Sequence, residues 1–372
     1  MPLTIGVDVR DLRVAKTGTR TYLEEVCAAF KQLQTDEIHF KFLDTDIPVY
    51  AGSNRVLNLI EHARYQLWKQ VGLPLKAFFS RCDIVFCTDN FVPLIHLGYK
   101  TIPVFHDAFF FESPEAYGRL WLWLYMKTAI PAARRSPYVV TPTQYAKKQI
   151  SNYTKLPDSK LAVVPEGPKN LPFTDLGGDD LLDKLSLARG KYILHVGSLF
   201  KRKNVPALIH AFSKLRGLGY EDLKLILAGP IPSSSYENGI DEIRKAIEAT
   251  HMDQYIIIPG YMSDDNLSLL YKNALMYVFP SINEGFGIPI LEAFKNDLPV
   301  LVANNTCLPE VGGDAVVQFD PFDTNDIFQK IRQVADDEDL RSDLIKKGRA
   351  RLQDFSWQNT ALQLIEIFKK AV

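Results

Sequence analysis

Short apolar runs alternate with amphipathic stretches along most of the chain, and this alternation constrains the fold more than any other feature of the sequence. Residues 3–9, 84–87 and 192–196 have the length and composition of buried strands, whereas apolar residues recur at helical spacing through 19–33. Chains that alternate strands with helices form parallel sheets covered by helices on both faces. The sequence therefore predicts an α/β fold built from doubly wound, Rossmann-like sheets.

The chain is too long for a single hydrophobic core. It has 372 residues, and cores usually stop growing at about 250–300 residues. Residues 165–180 contain three prolines and three glycines without a helical or strand period, which is typical of a linker. We therefore predict a first domain over residues 1–168 and a second over 169–355, followed by a last helix with Ser356 as its cap.

Composition and charge exclude several classes of protein. The net charge is −1, so the chain lacks the basic field of a nucleic-acid-binding protein. The N-terminus leads directly into a strand-like run, which predicts no signal peptide, and the aromatic stretch 120–126 is too short to span a bilayer. Four scattered cysteines, without a CxxC or zinc spacing, indicate reduced thiols. These features predict a cytoplasmic protein.

The richest local pattern is residues 278–294, where a buried strand, a polar turn and a helix start follow one another. Gly285 and Gly287 allow the backbone of the turn to come close to a ligand. The free N–H groups of a helix N-terminus attract anions. Glu284 lies in the turn, and Glu292 lies about one helical turn further on, where an acid suits a ribose diol. The pattern predicts a site for a molecule that carries both phosphates and hydroxyl groups.

A cationic segment, residues 201–203, lies between a predicted buried strand and a predicted helix start. Clusters of charge are usually solvated surface, but phosphates bind at this position of an α/β unit. We predict that the segment binds a diphosphate, with Lys203 as the first choice and Arg202 as the second.

Histidine at the end of a predicted strand is a further candidate. His106 and Asp107 follow an apolar run at 102–105, and the carboxyl edge of a parallel sheet is where ligands bind. A single histidine is often structural, but this position favours a polar contact to a substrate. His195 lies within an apolar strand and is predicted to be a core residue.

Several nucleotide and metal motifs are not supported. Residues 44–46 form a D-x-D triplet, but such triplets are common by chance, and we predict no metal site. No G-x-G-x-x-G follows a strand, which argues against a nicotinamide dehydrogenase. No G-x-x-x-x-G-K-[ST] occurs either, which argues against a P-loop ATPase.

Taken in order, the motifs resemble those of a known family over almost the whole chain. Residues 279–293 resemble the E-x7-E signature of the retaining GT-B glycosyltransferases of family GT4. Residues 196–204 resemble the family's diphosphate loop, and 263–271 its S-D-x-x-L-x-x-L-Y helix. Residues 308–315 are similar to its L-P-E-V-x-G-D-A segment, and 355–357 to the start of its last helix. Any one of these matches is moderate support, but their order makes the resemblance specific.

The resemblance implies a fold and assigns roles to individual residues. The fold is GT-B, in which two Rossmann-like domains face a central cleft and the last helix, here 356–372, crosses back to the first domain. Glu292 would bind the nucleotide ribose, and Glu284 would lie beside the donor sugar. His106 would contact that sugar from the first domain. The implied donor-binding residues are Gly18, Gly197, Arg202, Lys203, Glu284, Gly285, Phe286, Gly287 and Glu292, and the implied catalytic residues are His106, Glu284, Lys203 and Arg202.

Two positions depart from the family's pattern. Ser198 stands where many members have arginine, so the positive charge for the diphosphate must come from residues 201–203. Asp297 stands where many members have glycine. Because aspartate tolerates the left-handed conformation fairly well, we expect only a local cost there.

The resemblance implies transfer of a mannose-, rhamnose- or glucose-like sugar, with retention of configuration and without a metal cofactor. The donor would be a nucleotide-diphosphate sugar and the acceptor a glycan or a lipid-linked molecule, in the synthesis of cell-surface polysaccharide or glycoconjugate. Alternatives are a nucleotide-sugar epimerase or phosphorylase of the same fold, or a glycan-binding protein without activity. The sequence leaves open whether the reaction proceeds by front-side attack or by double displacement.

The sequence also leaves open a peripheral contact with the inner face of the membrane. The stretch 120–126 is either core or an apolar surface for a membrane, with core favoured. The amphipathic stretch 56–76 presents the same alternative.

Overall fold

The structure is a computed structural model that describes residues 2–15, 17–50, 52, 54–172, 178–231 and 238–372. The chain divides into two compact units. Unit 1 comprises Met1–Gly167 together with Ser356–Val372, and unit 2 comprises Pro168–Phe355. The division lies one residue before the boundary expected from the sequence, and part of the predicted linker, 173–177, lies outside the described residues. Within the described ranges, no helix is long and apolar enough to cross a membrane.

Unit 1 is built on a parallel sheet with the strand order β2-β1-β3-β4. A second, two-stranded parallel sheet, β5-β6, is joined to the end of the first by a bridge between Val104 and Val140. The strands are β1 (Leu3–Asp8), β2 (Ile38–Leu43), β3 (Ile84–Cys87), β4 (Lys100–Pro103), β5 (Val139–Thr141) and β6 (Leu161–Val163). The helices are α1 (Thr17–Leu33), α2 (Arg55–Leu67), α3 (Leu73–Phe79), α4 (Phe109–Glu112), α5 (Arg119–Leu124), α6 (Ile130–Arg135) and α7 (Gln144–Thr154).

Unit 2 contains a six-stranded sheet whose strands pair in parallel in the order β12-β11-β10-β7-β8-β9. The strands are β7 (Tyr192–Val196), β8 (Lys224–Ala228), β9 (Ile256–Gly260), β10 (Met276–Phe279), β11 (Val300–Ala303) and β12 (Val316–Phe319). The helices are α8 (Gly178–Lys184), α9 (Val205–Ser213), α10 (Ile240–Thr250), α11 (Asp264–Asn273), α12 (Ile288–Lys295), α13 (Leu308–Gly312), α14 (Thr324–Asp336) and α15 (Glu338–Leu352).

The last helix, α16 (Trp357–Ala371), packs against α1 within unit 1. Ser356 caps it, because its side chain accepts a hydrogen bond from the backbone N–H of Asn359 at 3.1 Å. The ring of Phe368 is fully buried, with its centroid 6.0 Å from that of Phe30 and 5.3 Å from that of Phe86. Residues 356–372 are therefore part of the core of unit 1.

Two helical stretches of unit 1 are each interrupted by a π-helical turn. The turns are Trp68–Gly72, between α2 and α3, and Tyr125–Ala129, between α5 and α6. Pro74 and Pro131 follow them. A proline ring displaces the carbonyl four residues earlier, which lies inside the turn in both cases, and proline offers no N–H. The helix must therefore widen ahead of each proline, which helical periodicity does not reveal.

Three local predictions can be compared with the structure. The strand expected at 102–105 is Lys100–Pro103, so His106 lies three residues beyond it. Asn204 precedes α9 as expected, but its side chain does not cap the helix and instead donates to the carbonyl of Pro321 at 2.8 Å. Asp297 adopts the expected left-handed conformation, with φ of 55°.

Candidate active site

The candidate site lies where the sheet of unit 2 reverses its strand order. From β7 the chain proceeds to β8 and β9 on one side, and from β10 it proceeds to β11 and β12 on the other. Ligands of open α/β sheets bind beyond the carboxyl ends of the strands at such a switch point. The loop 197–204 follows β7, and the turn 280–287 follows the neighbouring strand β10.

The predicted residues Lys203 and Glu284 form a buried ion pair at this point, with the ammonium of Lys203 donating to Oε1 of Glu284. Their side chains are 11% and 13% exposed. Burial alone would raise the pKa of Glu284, but the adjacent Lys203 ammonium holds it below its ordinary value. Burial lowers the pKa of Lys203, against the opposing effect of Glu284. The site therefore contains a paired cation and anion with little access to water.

Hydrogen bonds join the two loops that carry this pair. The backbone N–H of Ile282 donates to the carbonyl of Arg202 at 2.9 Å, and Ser281 Oγ donates to the same carbonyl at 3.1 Å. The guanidinium of Arg202 lies 4.4 Å from the ring centroid of Phe200. The backbone of the cationic segment is thus fixed to the turn that holds Glu284.

Cys307 is a site residue that sequence reasoning missed. Its buried thiol donates to the carbonyls of Glu284 and Phe286, with both Sγ–O distances 3.2 Å. Burial raises its pKa well above the ordinary value, so the sulfur remains a protonated donor. Nothing in the spacing of the cysteines could have indicated this role, because the residue joins the site only through the adjacency of β10 and β11.

Glycines shape the turn before α12. Gly287 has φ of 101°, a conformation that L side chains rarely adopt, and a Cβ there would lie 3.0 Å from Leu308 Cδ2. The turn ends at Gly287, whose carbonyl accepts a hydrogen bond from the backbone N–H of Ile290 at 3.0 Å as α12 begins. Gly285 lies within the same turn, whereas Phe286 is buried with its ring against that of Phe355, at a centroid distance of 5.9 Å.

A second pair of glycines brings the ends of β7 and β8 together. Gly197 has φ of 150°, and a Cβ there would lie 3.6 Å from Lys203 Cε. A Cβ on Gly229 would lie only 2.0 Å from the carbonyl oxygen of Gly197, so Gly229 has no room for a side chain. Gly197 was predicted from the resemblance, but Gly229 was not predicted.

Glu292 is buried on α12, with 6% of its surface exposed. The hydroxyl of Tyr271 on α11 donates to its Oε2 at 2.8 Å. Burial raises the pKa of Glu292 from 4.5 to about 7, although the Tyr271 hydrogen bond and nearby lysines act in the opposite direction. The carboxyl group is therefore divided between its protonated and ionised forms near neutral pH.

In unit 1, His106 is held at both ring nitrogens. Nε2 donates to the carbonyl of Thr88 at 2.9 Å, and Nδ1 lies 3.1 Å from Oε1 of the buried Glu166. Burial lowers the pKa of His106, but Glu166 more than offsets this and the net shift is upward. The environment thus stabilises the imidazolium form relative to a free imidazole. Glu166 falls in the stretch interpreted as a linker, so its role was not predicted.

The other predicted residue of unit 1 is Gly18, in the first turn of α1. It is exposed, and a Cβ there would meet no atom within 4 Å. His106 and Gly18 belong to unit 1, and the remaining predicted site residues belong to unit 2.

Two groups of acidic residues with the composition of metal ligands are paired with cationic side chains. Asp44 accepts from the guanidinium of Arg13, and Asp46 pairs with Lys76. Near the ends of β1 and β3, Asp8 and Asp89 have oxygens close enough to share an ion with Cys87, but the ammonium of Lys69 lies between them at 2.5 and 2.6 Å. The buried ammonium of Lys69 therefore offsets part of the negative charge of the two carboxylates.

Comparison with known proteins defines the class. Residues 182–351 match the model of the family described as glycosyl transferases group 1. The O-antigen chain mannosyltransferase B of Escherichia coli is 28% identical over 319 residues, which cover 83% of this chain and 78% of that protein. The serotype-specific mannosyltransferase WbdA of Escherichia coli is 29% identical over 364 residues, which cover 94% of this chain but only 43% of WbdA.

Solved structures resemble the whole chain. Sucrose-phosphate synthase from Thermosynechococcus elongatus aligns with a TM-score of 0.75 and 16% identity, over 99% of this chain and 98% of that one. Anabaena Alr3699/HepE, solved in complex with UDP-glucose, aligns with a TM-score of 0.74 and 16% identity, over 99% of this chain and 100% of that one. At such identities the likeness shows the fold, which is GT-B as predicted.

The match over residues 182–351, together with the similarity of most of the chain to a mannosyltransferase, identifies the chain as a glycosyltransferase. Both mannosyltransferases are named for sugar transfer, so these relatives give no support to an epimerase or a phosphorylase.

Proposed function

We propose that this protein transfers a mannose-like sugar from a nucleoside-diphosphate sugar to a growing cell-surface glycan, with retention of configuration. The observation that carries the proposal is the position of the Lys203–Glu284 pair at the switch point of the unit 2 sheet, with Glu292 one helical turn into α12. The choice of sugar and acceptor is supported by the names of the relatives, which are mannosyltransferases, one of them of the O-antigen chain.

The chemistry requires stabilisation of a departing nucleoside diphosphate. The bond between the anomeric carbon and the phosphate oxygen breaks, a bond to the acceptor oxygen forms, and the acceptor hydroxyl loses its proton. Lys203, Arg202 and the N-terminus of α12 would bind the negative charge that develops on the leaving group. A phosphate oxygen would compete with Glu284 for the Lys203 ammonium, which leaves Glu284 beside the sugar. Front-side attack and double displacement both use this stabilisation.

The first experiment is a thermal-shift screen of the full chain with UDP-, GDP-, ADP- and dTDP-sugars, followed by NMR of the product. We expect one nucleotide to stabilise the protein and the product to have the donor's anomeric configuration. We further expect Glu292→Ala to weaken donor binding while the fold persists. A free phosphorylated sugar, or an epimerised donor, as the product would overturn the proposal.

We also propose that the reaction needs no divalent metal, because Lys203 and Arg202 supply the positive charge that stabilises the departing diphosphate. Activity in excess chelator should equal activity in buffer. Loss of activity that only a divalent metal restores would contradict this part of the proposal.

A lipid-linked acceptor would bring the protein to a membrane surface, and unit 1 offers an apolar face for that contact. The stretch 120–126 has side chains both in the interior and on the surface. Trp121 packs against Phe91 and Tyr65, whereas Trp123 is 57% exposed. Exposed apolar side chains also recur along α2, the following π turn and α3, at Val56, Ile60, Leu67, Val71, Leu75 and Phe78. We propose that this face contacts the inner membrane surface peripherally.

Co-sedimentation with anionic phospholipid vesicles tests the membrane contact. We expect the native chain to bind and the double variant Leu67→Ser/Val71→Ser to bind several-fold less, because apolar area is lost. Leu218→Ser is the matched control, since Leu218 is exposed to a similar extent on unit 2. Absence of binding by the native chain, or equal loss in the control, would refute the contact.

A further inference from the structure

The two oxygens of the Glu292 carboxyl group have different surroundings. Oε2 accepts the hydrogen bond from the Tyr271 hydroxyl at 2.8 Å. For Oε1, the described ranges of the chain contain no hydrogen-bond partner. One oxygen is thus fixed inside the protein while the other retains its full capacity to accept hydrogen bonds.

Tyr271 is placed to fix the direction of this carboxyl group. It is completely buried on α11, and its ring packs against Tyr277 at a centroid distance of 5.8 Å. Burial raises its pKa well above the ordinary value, so the hydroxyl keeps its proton and can only donate to an ionised carboxylate. A buried aromatic ring has little rotational freedom, and the position of Oε2 is therefore determined by packing.

Other groups near Glu292 influence its charge without bonding to it. Lys169 pairs with Asp264 at 2.6 Å, and Lys295 donates to Asn170 at 3.3 Å. The hydroxyl of Tyr277 is directed to the carbonyl of Val196 at 3.4 Å. Within the described residues, Tyr271 is therefore the one hydrogen-bond donor to the Glu292 side chain.

We propose that Tyr271 is a positioning residue for donor binding, which holds Oε2 of Glu292 so that Oε1 faces the ribose hydroxyl groups of the nucleotide. The inference rests on the proposed function, in which Glu292 binds the ribose. A ribose diol has two adjacent donors, and an oxygen with free lone pairs in a buried, oriented carboxylate is the acceptor that such a diol needs.

Loss of the Tyr271 hydroxyl has two consequences that a purely structural role would not produce. The carboxyl group can rotate, so the preference for a ribose over a 2′-deoxyribose should fall. The hydrogen bond also stabilises the ionised form, so its removal raises the pKa of Glu292 further. Nucleotide binding should then require a higher pH in the variant than in the native protein.

The test compares Tyr271→Phe with Tyr277→Phe, a matched control that loses a buried tyrosine hydroxyl not bonded to Glu292. Calorimetry measures binding of UDP, GDP, ADP and dTDP, and of the 2′-deoxy analogues of the first three, to the full chain between pH 6 and pH 8.5. We expect Tyr271→Phe to weaken ribonucleotide binding roughly tenfold at neutral pH, to reduce the ribose-to-deoxyribose preference, and to shift the pH dependence upward. Tyr277→Phe should retain the native preference and pH profile.

Failure of the inference differs from failure of the proposed function. If the native chain binds nucleoside diphosphates but Tyr271→Phe keeps the native preference and pH profile, the role of Tyr271 is refuted while the proposed function stands. If the native chain binds none of them, both are refuted. Glu292→Gln provides a check that does not depend on folding of the tyrosine variant: native pH dependence that persists in Glu292→Gln also overturns the inference.

Discussion

Burial of Glu292 predicts that the ligand-free protein is destabilised by its own site at neutral and higher pH. The folded protein raises the pKa of this carboxyl group from 4.5 to about 7 and so binds its proton more tightly than the unfolded chain does. The free energy of unfolding must therefore fall as the pH rises from about 4.5 to about 7, and stay lower above that. Glutamine has the same shape without the charge, so Glu292→Gln should remove this pH dependence.

The size of the effect follows from the two pKa values. One pKa unit corresponds to about 1.4 kcal/mol, so the ionised carboxylate costs the folded protein roughly 3 kcal/mol at pH 8 compared with pH 4. In a domain of this size that free energy corresponds to roughly 6–12 °C in the melting temperature, as an upper bound. Glu292→Gln should therefore melt several degrees above the native protein at pH 8, and the difference should be much smaller at pH 5.

Differential scanning calorimetry at pH 5, 6, 7 and 8, without ligand, measures the difference. The variant should also lose nucleotide affinity, because a neutral amide is a poorer acceptor for the ribose hydroxyl groups. A gain of stability together with a loss of binding is the expected signature of a site residue. A difference in melting temperature that is the same at pH 5 and pH 8, or a variant that is less stable at pH 8, would refute the reasoning.

Three further predictions follow from contacts within the units. Lys203→Ala should lower the free energy of unfolding by roughly 3 kcal/mol, because it leaves the Glu284 carboxylate buried without its partner. Lys203→Ala/Glu284→Gln should recover much of that loss in thermal unfolding; additive losses would contradict the pairing. Glu166→Gln should lower the pKa of His106 in an NMR titration; an unchanged titration midpoint would rule this out. The variant should also be destabilised more at pH 6 than at pH 9, because the raised histidine pKa stabilises the fold only while the ring is protonated. Gly229→Ala should cost roughly 2 kcal/mol or more, because its Cβ would overlap the carbonyl of the residue after β7; native stability measured by denaturant unfolding would disprove that close approach.

Much of the fold could be predicted from the sequence, because hydrophobic periodicity and the residues that begin or end helices are local signals. The alternation of apolar runs predicted parallel sheets in both units, and Ser356 was recognised as a helix cap from its position before an amphipathic stretch. The widened turns before Pro74 and Pro131 were missed, since the helical period continues through them. Local composition does not show that a helix widens into a π-helical turn before a proline.

The residues of the candidate site were named from the sequence, but their partners were not. Glu284 and Lys203 are 81 positions apart and meet because β10 pairs with β7. Tyr271 was recognised only as part of a motif, and Cys307 had no recognisable signal. A pairing of this kind depends on which strands are neighbours, and pattern along the chain does not contain strand order.

The packing of α16 has a consequence for the order in which the protein folds during synthesis. Unit 2 is, in sequence, an insertion within unit 1, because Ser356–Val372 complete the first unit. The ring of Phe368 packs beside Phe30 and Phe86, so these two side chains lack this contact until residues 356–372 have left the ribosome. Unit 1 is translated first but completes its native core last, and unit 2 can fold before the final helix of unit 1 has been synthesised.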